Sequence, residues 1–278
     1  MPNSFAFALC ADDYAMTPGV SRGIIEAIEA GSLTATSVMT TSQWWPDAAP
    51  ALKRHERHLD IGLHLNLTLG SPLGAMPSLA PHGALPDIRT LMRLGRRRRL
   101  PVAEIAEEIE RQCARFEEVM GRAPDHVDGH QHVQSLPAIR SLLLDALDRR
   151  GWRPWLRDSS DRVWRIPWRG GVKKALALCV VAEGFGSAVS RRGFARNDGF
   201  AGFSSFDPSE DYAALFGSYL NRPGRRHLIM CHPGYVDDAL RALDPVLETR
   251  EQELRFLTTG LADLLKRRPA TLTRLSMF

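Results

Sequence analysis

The chain has 278 residues, 44% hydrophobic and 24% charged, with a formal net charge of +4 and a pI near 9.1. This composition is ordinary for a globular protein and excludes collagen-like, low-complexity and disordered classes. The longest apolar stretch, 175–182, is too short to span a bilayer, so no membrane partner is expected.

Met1 leads directly toward a strand, without the charged and apolar regions of a secretory leader, so a cytoplasmic location is expected. Cys10, Cys113, Cys179 and Cys231 form no CxxC pair, which suggests neither a thiolate zinc site nor a disulfide framework. The positive charge is densest at the arginines 96–99. Nucleic-acid binding calls for a basic face interleaved with groove-reading or aromatic elements. This run, between Leu94-Gly95 and Leu100-Pro101, reads instead as a solvated connection between helices, and no nucleic-acid partner is expected.

The first apolar run, 5–11, reads as a strand that stops on Asp12-Asp13. Thr17-Pro18 then supplies a cap and a first-turn proline, and Val20, Ile24, Ile25 and Ile28 recur at helical spacing until Gly31. A strand is expected over 36–40, a helix over 46–58 and a strand over 60–67 that carries His64. The Gly- and Pro-rich stretch 70–86 reads as an irregular loop.

Pro101 opens a helix whose stripe runs through Val102, Ile105, Ile109, Cys113, Phe116 and Val119 and which Gly121 closes. A strand or strand end follows at 126–133, a helix at 137–150 and a short strand at 155–157. A helix over 172–181 is the one element expected within 160–200. Later come a helix from Asp207 to about Leu220, a strand ending in a turn over 227–234, helices over 249–258 and 261–266, and a last strand at 271–275. Strands alternating with helices argue for βα units and a mainly parallel sheet or barrel, in one domain over 1–278.

Polar clusters interrupt these apolar strands at Asp12-Asp13, His64, Asp128 to His132, and His232. Two adjacent carboxylates at a strand end are costly unless a cation, hydrogen bonds or a shared proton compensates them. In an extended segment Asp128, His130 and His132 would share one face, with Gln131 opposite. Two imidazoles and a carboxylate drawn from separate strands suit a divalent cation with open coordination positions, the catalytic rather than the structural arrangement. HExxH, GxSxG and P-loop patterns are absent.

In this order, Ala11-Asp-Asp-Tyr14, Ile61-Gly-Leu-His-Leu-Asn-Leu-Thr68, Val127-Asp-Gly-His-Gln-His-Val133 and His232-Pro-Gly234 resemble the YdjC-like carbohydrate deacetylases (the ChbG/HpnK family). The resemblance spans nearly the whole chain. It implies a seven-stranded distorted (β/α) barrel of the polysaccharide-deacetylase type and a divalent metal, zinc or magnesium, held by Asp13, His64 and His130. It further implies Asp12 as general base and His232 near the leaving group. Asp128 and His132 are placed behind the ligands or at the pocket wall. Arg157 is read as a surface ion pair, or as a partner for acetate or a substrate hydroxyl.

The family usually shows Phe-Gly after the two aspartates, where this chain has Tyr14-Ala15, and a third histidine where it has Gln134. The expected reaction is removal of an N-acetyl group from an amino sugar or short acetylated oligosaccharide. A metal-dependent phosphoesterase and a non-catalytic sugar-binding protein are the rival readings. Oligomeric state, a homodimer included, is left open by the sequence.

Overall fold

The computed structural model describes residues 4–278; the leaderless reading of Met1 to Asn3 lies outside them. The first half of the chain forms β1 (Phe5–Tyr14), α1 (Pro18–Glu29), β2 (Ala35–Val38), α2 (Trp45–Lys53), β3 (Asp60–Leu65), α3 (Ile88–Arg96), α4 (Val102–Met120), β4 (His126–Gly129) and α5 (Pro137–Arg149). The second half forms β5 (Trp155–Leu156), α6 (Val172–Val181), α7 (Phe185–Arg191), β6 (Gly199–Ala201), α8 (Tyr212–Tyr219), β7 (His227–Cys231), α9 (Asp238–Leu243), α10 (Glu248–Thr259), α11 (Leu261–Arg267) and β8 (Ala270–Leu272).

Local chemistry explains most of these boundaries. The Thr17 side chain accepts from the Val20 amide and Pro18 opens α1. Ile105, Ile109, Cys113 and Phe116 bury one stripe of α4, which Gly121 ends at φ 77°. Val102, expected on that stripe, is instead 52% exposed. The helix expected from Asp207 begins at Tyr212 instead: Asp211 caps Ala213 and Ala214, while Asp207 closes a tight turn on Ser209. The chain at 66–87 is irregular, as its glycines and prolines predict, but α3 and α9 were not legible.

The strands order as β5-β4-β3-β2-β1-β7-β6, every pairing is parallel, and β8 joins the first residues of β1. This seven-strand path agrees with the expected fold, and β8 adds an eighth strand. A parallel bridge between Leu156 and Arg196 links the two edges, so the sheet curls nearly round on itself.

Strand alternation sorts the side chains into two layers. Phe7, Leu9 and Ala11 of β1, Leu63 of β3, Val127 of β4 and Ile229 of β7 face outward into the main core under the helices. Ala8 and Cys10, Ala35, Trp155, Leu228 and Met230 face inward into a smaller core inside the curl. Continuing the inward parity toward the carboxyl ends reaches Asp12, Ser37, His64, Asp128, Arg157 and His232. On β1, β2, β3, β4, β5 and β7 the last inward position is therefore polar, whereas β6 turns Phe200 inward, and the polar positions converge at the end of the sheet where α/β active sites form.

Strict alternation would send Asp13 outward, away from Asp12. It does not, because the β1–β2 register shifts between Ala11 and Tyr14 and Asp13 takes φ 72°. Ala15 follows at φ 69°, a left-handed conformation that glycine, the residue usual here in the resembling family, adopts at lower cost.

Candidate active site

Asp12 and Asp13 both line one pocket of about 490 Å³, and their partners differ completely. Both Asp12 oxygens accept from Arg157, Oδ2 from Nη1 and Oδ1 from Nη2, each at 2.6 Å. Asp13 Oδ1 lies 3.1 Å from His130 Nδ1 and 3.4 Å from His64 Nε2, and its Oδ2 accepts from Arg250 Nη2 at 2.8 Å. Burial alone would raise the Asp13 carboxyl, but the Arg250 guanidinium and the two imidazoles hold it well below the usual carboxylate range.

His64 is fixed from behind. Its Nδ1 donates to Asp128 Oδ1 at 2.6 Å, which turns Nε2 toward Asp13. Burial disfavours the charged ring, yet the carboxylates of Asp128, Asp13 and Asp12 outweigh it and push His64 up to about 10. Asp128 also accepts from the Ser37 hydroxyl at 2.6 Å and from Arg157 Nη2 at 2.5 Å. Its charge is thereby shared among three donors in a fully buried setting.

Asp13, His64 and His130 offer ligand atoms that all lie within 4.8 Å of one another. This set fits a divalent cation: one carboxylate, two imidazoles, a tautomer fixed by Asp128 and an open pocket in front. His130 Nε2 is buried with no partner among the described residues, so the protein leaves that ring's second nitrogen unsatisfied. Cys10, His126 and Asp128 also cluster, but the Ser37 hydroxyl sits among them, 3.4 Å from Cys10 Sγ and 2.9 Å from His126 Nε2. That cluster is a hydrogen-bond node, with His126 stacked on Trp155 at 4.2 Å. A Cβ at Gly62 would run into the His126 ring, which is why this inward position is glycine.

His232 follows β7. Its backbone amide donates to Glu253 Oε2 at 2.6 Å and its ring lies edge-on to Phe206 at 5.4 Å. Glu253, on α10, is raised by burial, with the His232 charge acting in the opposite sense. The rest of the pocket includes Lys174 and Leu178 from α6, Phe203, Phe206 and Val246.

Two expectations need correction. Arg157 is neither a surface residue nor free for a ligand: it is fully buried and committed to Asp12 and Asp128. Asp128, His130 and His132 do not continue along one strand face, because the strand ends at Gly129. A 3-10 turn follows with Gln131 and His132 at φ 51° and 61°. His130 still meets Asp13, and Gln131, expected on the far side, also lines the pocket. His132 turns to Ser159 Oγ at 3.0 Å and to the edges of Phe200 and Phe203. Burial, with the nearby Arg157 charge, pushes its imidazole down to about 3.

Arg250, Glu253 and Ser37 were not foreseen. The first two share the buried stripe of α10 with Leu254 and Leu257. Charged residues at i and i+3 on an apolar stripe were the signal that could have found them. Ser37 had no comparable signal, since a serine in a strand is ordinary.

The chain matches the sequence profile of the YdjC-like protein family over residues 7–265. A Mus musculus protein named carbohydrate deacetylase is 32% identical over 240 residues, which cover 81% of this chain and 76% of the mouse protein. A solved structure from Enterococcus faecalis V583, provisionally named a cellobiose-phosphate cleavage protein, superposes with a TM-score of 0.75 over 99% of both chains. At 22% identity that likeness bears on the fold alone.

Proposed function

The chain belongs to the YdjC-like protein family, and from that premise we propose that it is a metal-dependent carbohydrate deacetylase, removing an N-acetyl group from an amino sugar. One observation carries the reading: two adjacent carboxylates face one pocket with divided duties. Asp13 meets both imidazoles, while Asp12 meets neither and is gripped by a guanidinium. Binding a cation needs only the first. The second is the arrangement of a positioned proton acceptor. The name borne by the mouse relative supports the same reaction class.

A zinc or magnesium ion held by Asp13, His64 and His130 would lower the pKa of a water and polarise the acetyl carbonyl. The chain's own groups supply the rest. Asp12 accepts the proton of the attacking water through a lone pair that Arg157 leaves free, since each carboxylate oxygen can accept twice. Arg157 fixes the plane of that carboxylate, so no reorganisation is needed as the proton moves. His232, steadied by Glu253 at its backbone, donates a proton to the departing amine. Phe203 and Phe206 wall the pocket and limit water around the reacting carbonyl.

The direct test is a screen of acetylated mono- and oligosaccharides for acetate release with zinc, magnesium or no metal added. Metal-dependent acetate release from an N-acetylated amino sugar is the expected result. Acetate from none of them, with no metal bound stoichiometrically, would return the chain to the sugar-binding reading.

A further inference from the structure

Two helices border the mouth of the active pocket, and each turns an unpartnered row of side chains to solvent. Ile88, the first residue of α3, and Lys174, Ala177 and Leu178 of α6 all line that pocket. α3 follows β3 and α6 follows β5, so both belong to segments that leave the carboxyl end of the sheet.

The outward row of α3 is basic. Arg89, Arg93 and Arg96 recur at i, i+4 and i+7, opposite the buried Leu91, and Arg97, Arg98 and Arg99 continue past the end of the helix; all are exposed. The run is folded back rather than trailing: Arg98 takes φ 55°, and the Arg98 and Arg99 amides donate to the Gly95 and Leu94 carbonyls at 3.0 and 2.9 Å. The acids nearest in the chain are committed elsewhere. Asp87 accepts from the Thr90 amide at 2.6 Å, Glu104 from the Ser78 and Leu79 amides, and Glu107 and Glu108 pair with Arg111. The helix dipole favours Arg93 and Arg96 in the last turn but disfavours Arg89 in the first, so it does not account for the whole row.

The outward row of α6 is apolar. Lys173, Leu176, Ala177 and Val180 recur at i, i+3, i+4 and i+7. Leu176 is 39% and Val180 75% exposed, while Val172, Ala175 and Cys179 on the other side pack into the inner core. A surface helix carries polar groups on such a row unless something covers it. No acid lies between Asp161 and Glu183 in the chain, and Asp161 is paired with Arg165 and Arg169.

We propose that this rim docks on the surface of an anionic phospholipid bilayer, with the α6 row among the upper acyl chains and the α3 arginines against the phosphates. The active pocket then opens toward the membrane. Charge complementarity selects this occupant. An acidic bilayer offers apolar depth and negative charge together, and either signal alone gives only marginal attachment. A second copy docked by the same rim would set basic charge against basic charge, and a nucleic acid would leave Leu176 and Val180 facing phosphate. No helix among the described residues is long and apolar enough to cross a membrane, but lying on one takes only a short amphipathic row. The expectation of no membrane partner, drawn from span length, does not extend to its surface. This inference is independent of the reaction in the pocket.

The test sediments the full chain with vesicles of phosphatidylcholine alone, or of phosphatidylcholine and phosphatidylglycerol in equal parts. The native chain should bind the mixed vesicles, ignore the neutral ones, and come off as salt screens the charge. Arg96→Gln, Arg97→Gln, Arg98→Gln and Arg99→Gln together should weaken binding about a hundredfold. Leu176→Ser with Val180→Ser should weaken it about tenfold or more. These side chains are exposed, so thermal midpoints should stay native. Lys266→Gln, Arg267→Gln and Arg268→Gln together remove exposed cations at the other end of the sheet, where β8 joins the start of β1, and should leave binding intact.

Failure of the native chain to bind the mixed vesicles overturns the docking surface, as does an equal loss in the α3 variant and the distal variant. Binding of a duplex oligonucleotide without vesicle binding assigns the arginine row to nucleic acid instead. Self-association that Leu176→Ser with Val180→Ser abolishes, again without vesicle binding, assigns the α6 row to a second copy.

Discussion

Arg157 and Asp12 form two parallel hydrogen bonds of 2.6 Å each, across 145 residues of sequence, at a point where the guanidinium has no exposure to solvent. The same guanidinium reaches Asp128. One cation thus lies between the proposed base and the carboxylate that orients the His64 ring, and it neutralises the back of the site without entering the pocket. A planar fork can serve two carboxylates in this way, whereas an ammonium cannot.

Arg157→Lys is therefore expected to keep the charge and lose the geometry. Acetate release should fall by about a hundredfold, mainly in kcat. Arg157→Met removes the charge and leaves two buried carboxylates without it, so the fold should lose about 3–5 kcal/mol in urea denaturation. An Arg157→Lys protein with native kcat would show that orientation of Asp12 does not matter.

Asp12→Asn and His64→Ala should part company. The first preserves the Asp13, His64 and His130 set and should bind metal at native stoichiometry while acetate release drops by about 10²–10⁴-fold. The second should lose both. Elemental analysis beside the acetate assay reads the two quantities, and full activity in Asp12→Asn would end the assignment of Asp12 as base.

Ser37→Ala removes the hydroxyl that donates to Asp128 and meets His126. It touches neither pocket nor proposed ligand. A loss of about tenfold or more in zinc affinity is expected, because the support behind His64 is loosened. Metal titration against a chromophoric chelator measures it, and unchanged affinity would confine Ser37 to packing.

His227 gives a pH signature away from the site. Burial, with the Arg169 charge adding to it, pushes its imidazole down to about 3, while its Nε2 stays with the Tyr219 carbonyl at 3.0 Å. In the unfolded chain it titrates at about 6.5. Between those values the unfolded state binds a proton that the folded state refuses. Stability therefore falls as pH drops below about 6.5, by up to about 1.4 kcal/mol per pH unit, and this contribution levels off below pH 3. His227→Gln should flatten the acid limb by up to one proton, read from urea midpoints between pH 7 and 4; an unchanged slope would contradict this.

The order of strands and helices was legible because amphipathic spacing is local: the α4 stripe, the Thr17-Pro18 start of α1 and the helix over 172–181 need only neighbours to reveal them. Asp12, Asp13, His64, His130 and His232 could be singled out because polar groups at the ends of apolar strands are costly without a purpose. The same reasoning misread Arg157, since nothing in a short strand end tells whether a guanidinium meets water or a buried carboxylate. It also missed Arg250 and Glu253, which lie on the stripe of α10 that packs toward α1 and α8 and end no apolar strand.

What the sequence by itself determined is the list of chemical groups and the strand parity that turns most of them inward. The tertiary structure decided which group serves which. The β1 bulge turns Asp13 into the same pocket as Asp12, against the alternation that a regular strand would impose. The curl of the sheet then brings Arg157 to one aspartate and two imidazoles and Arg250 to the other. Parity is a property of one strand, but pairing across the curl depends on the register of all of them, and no local stretch of sequence contains that.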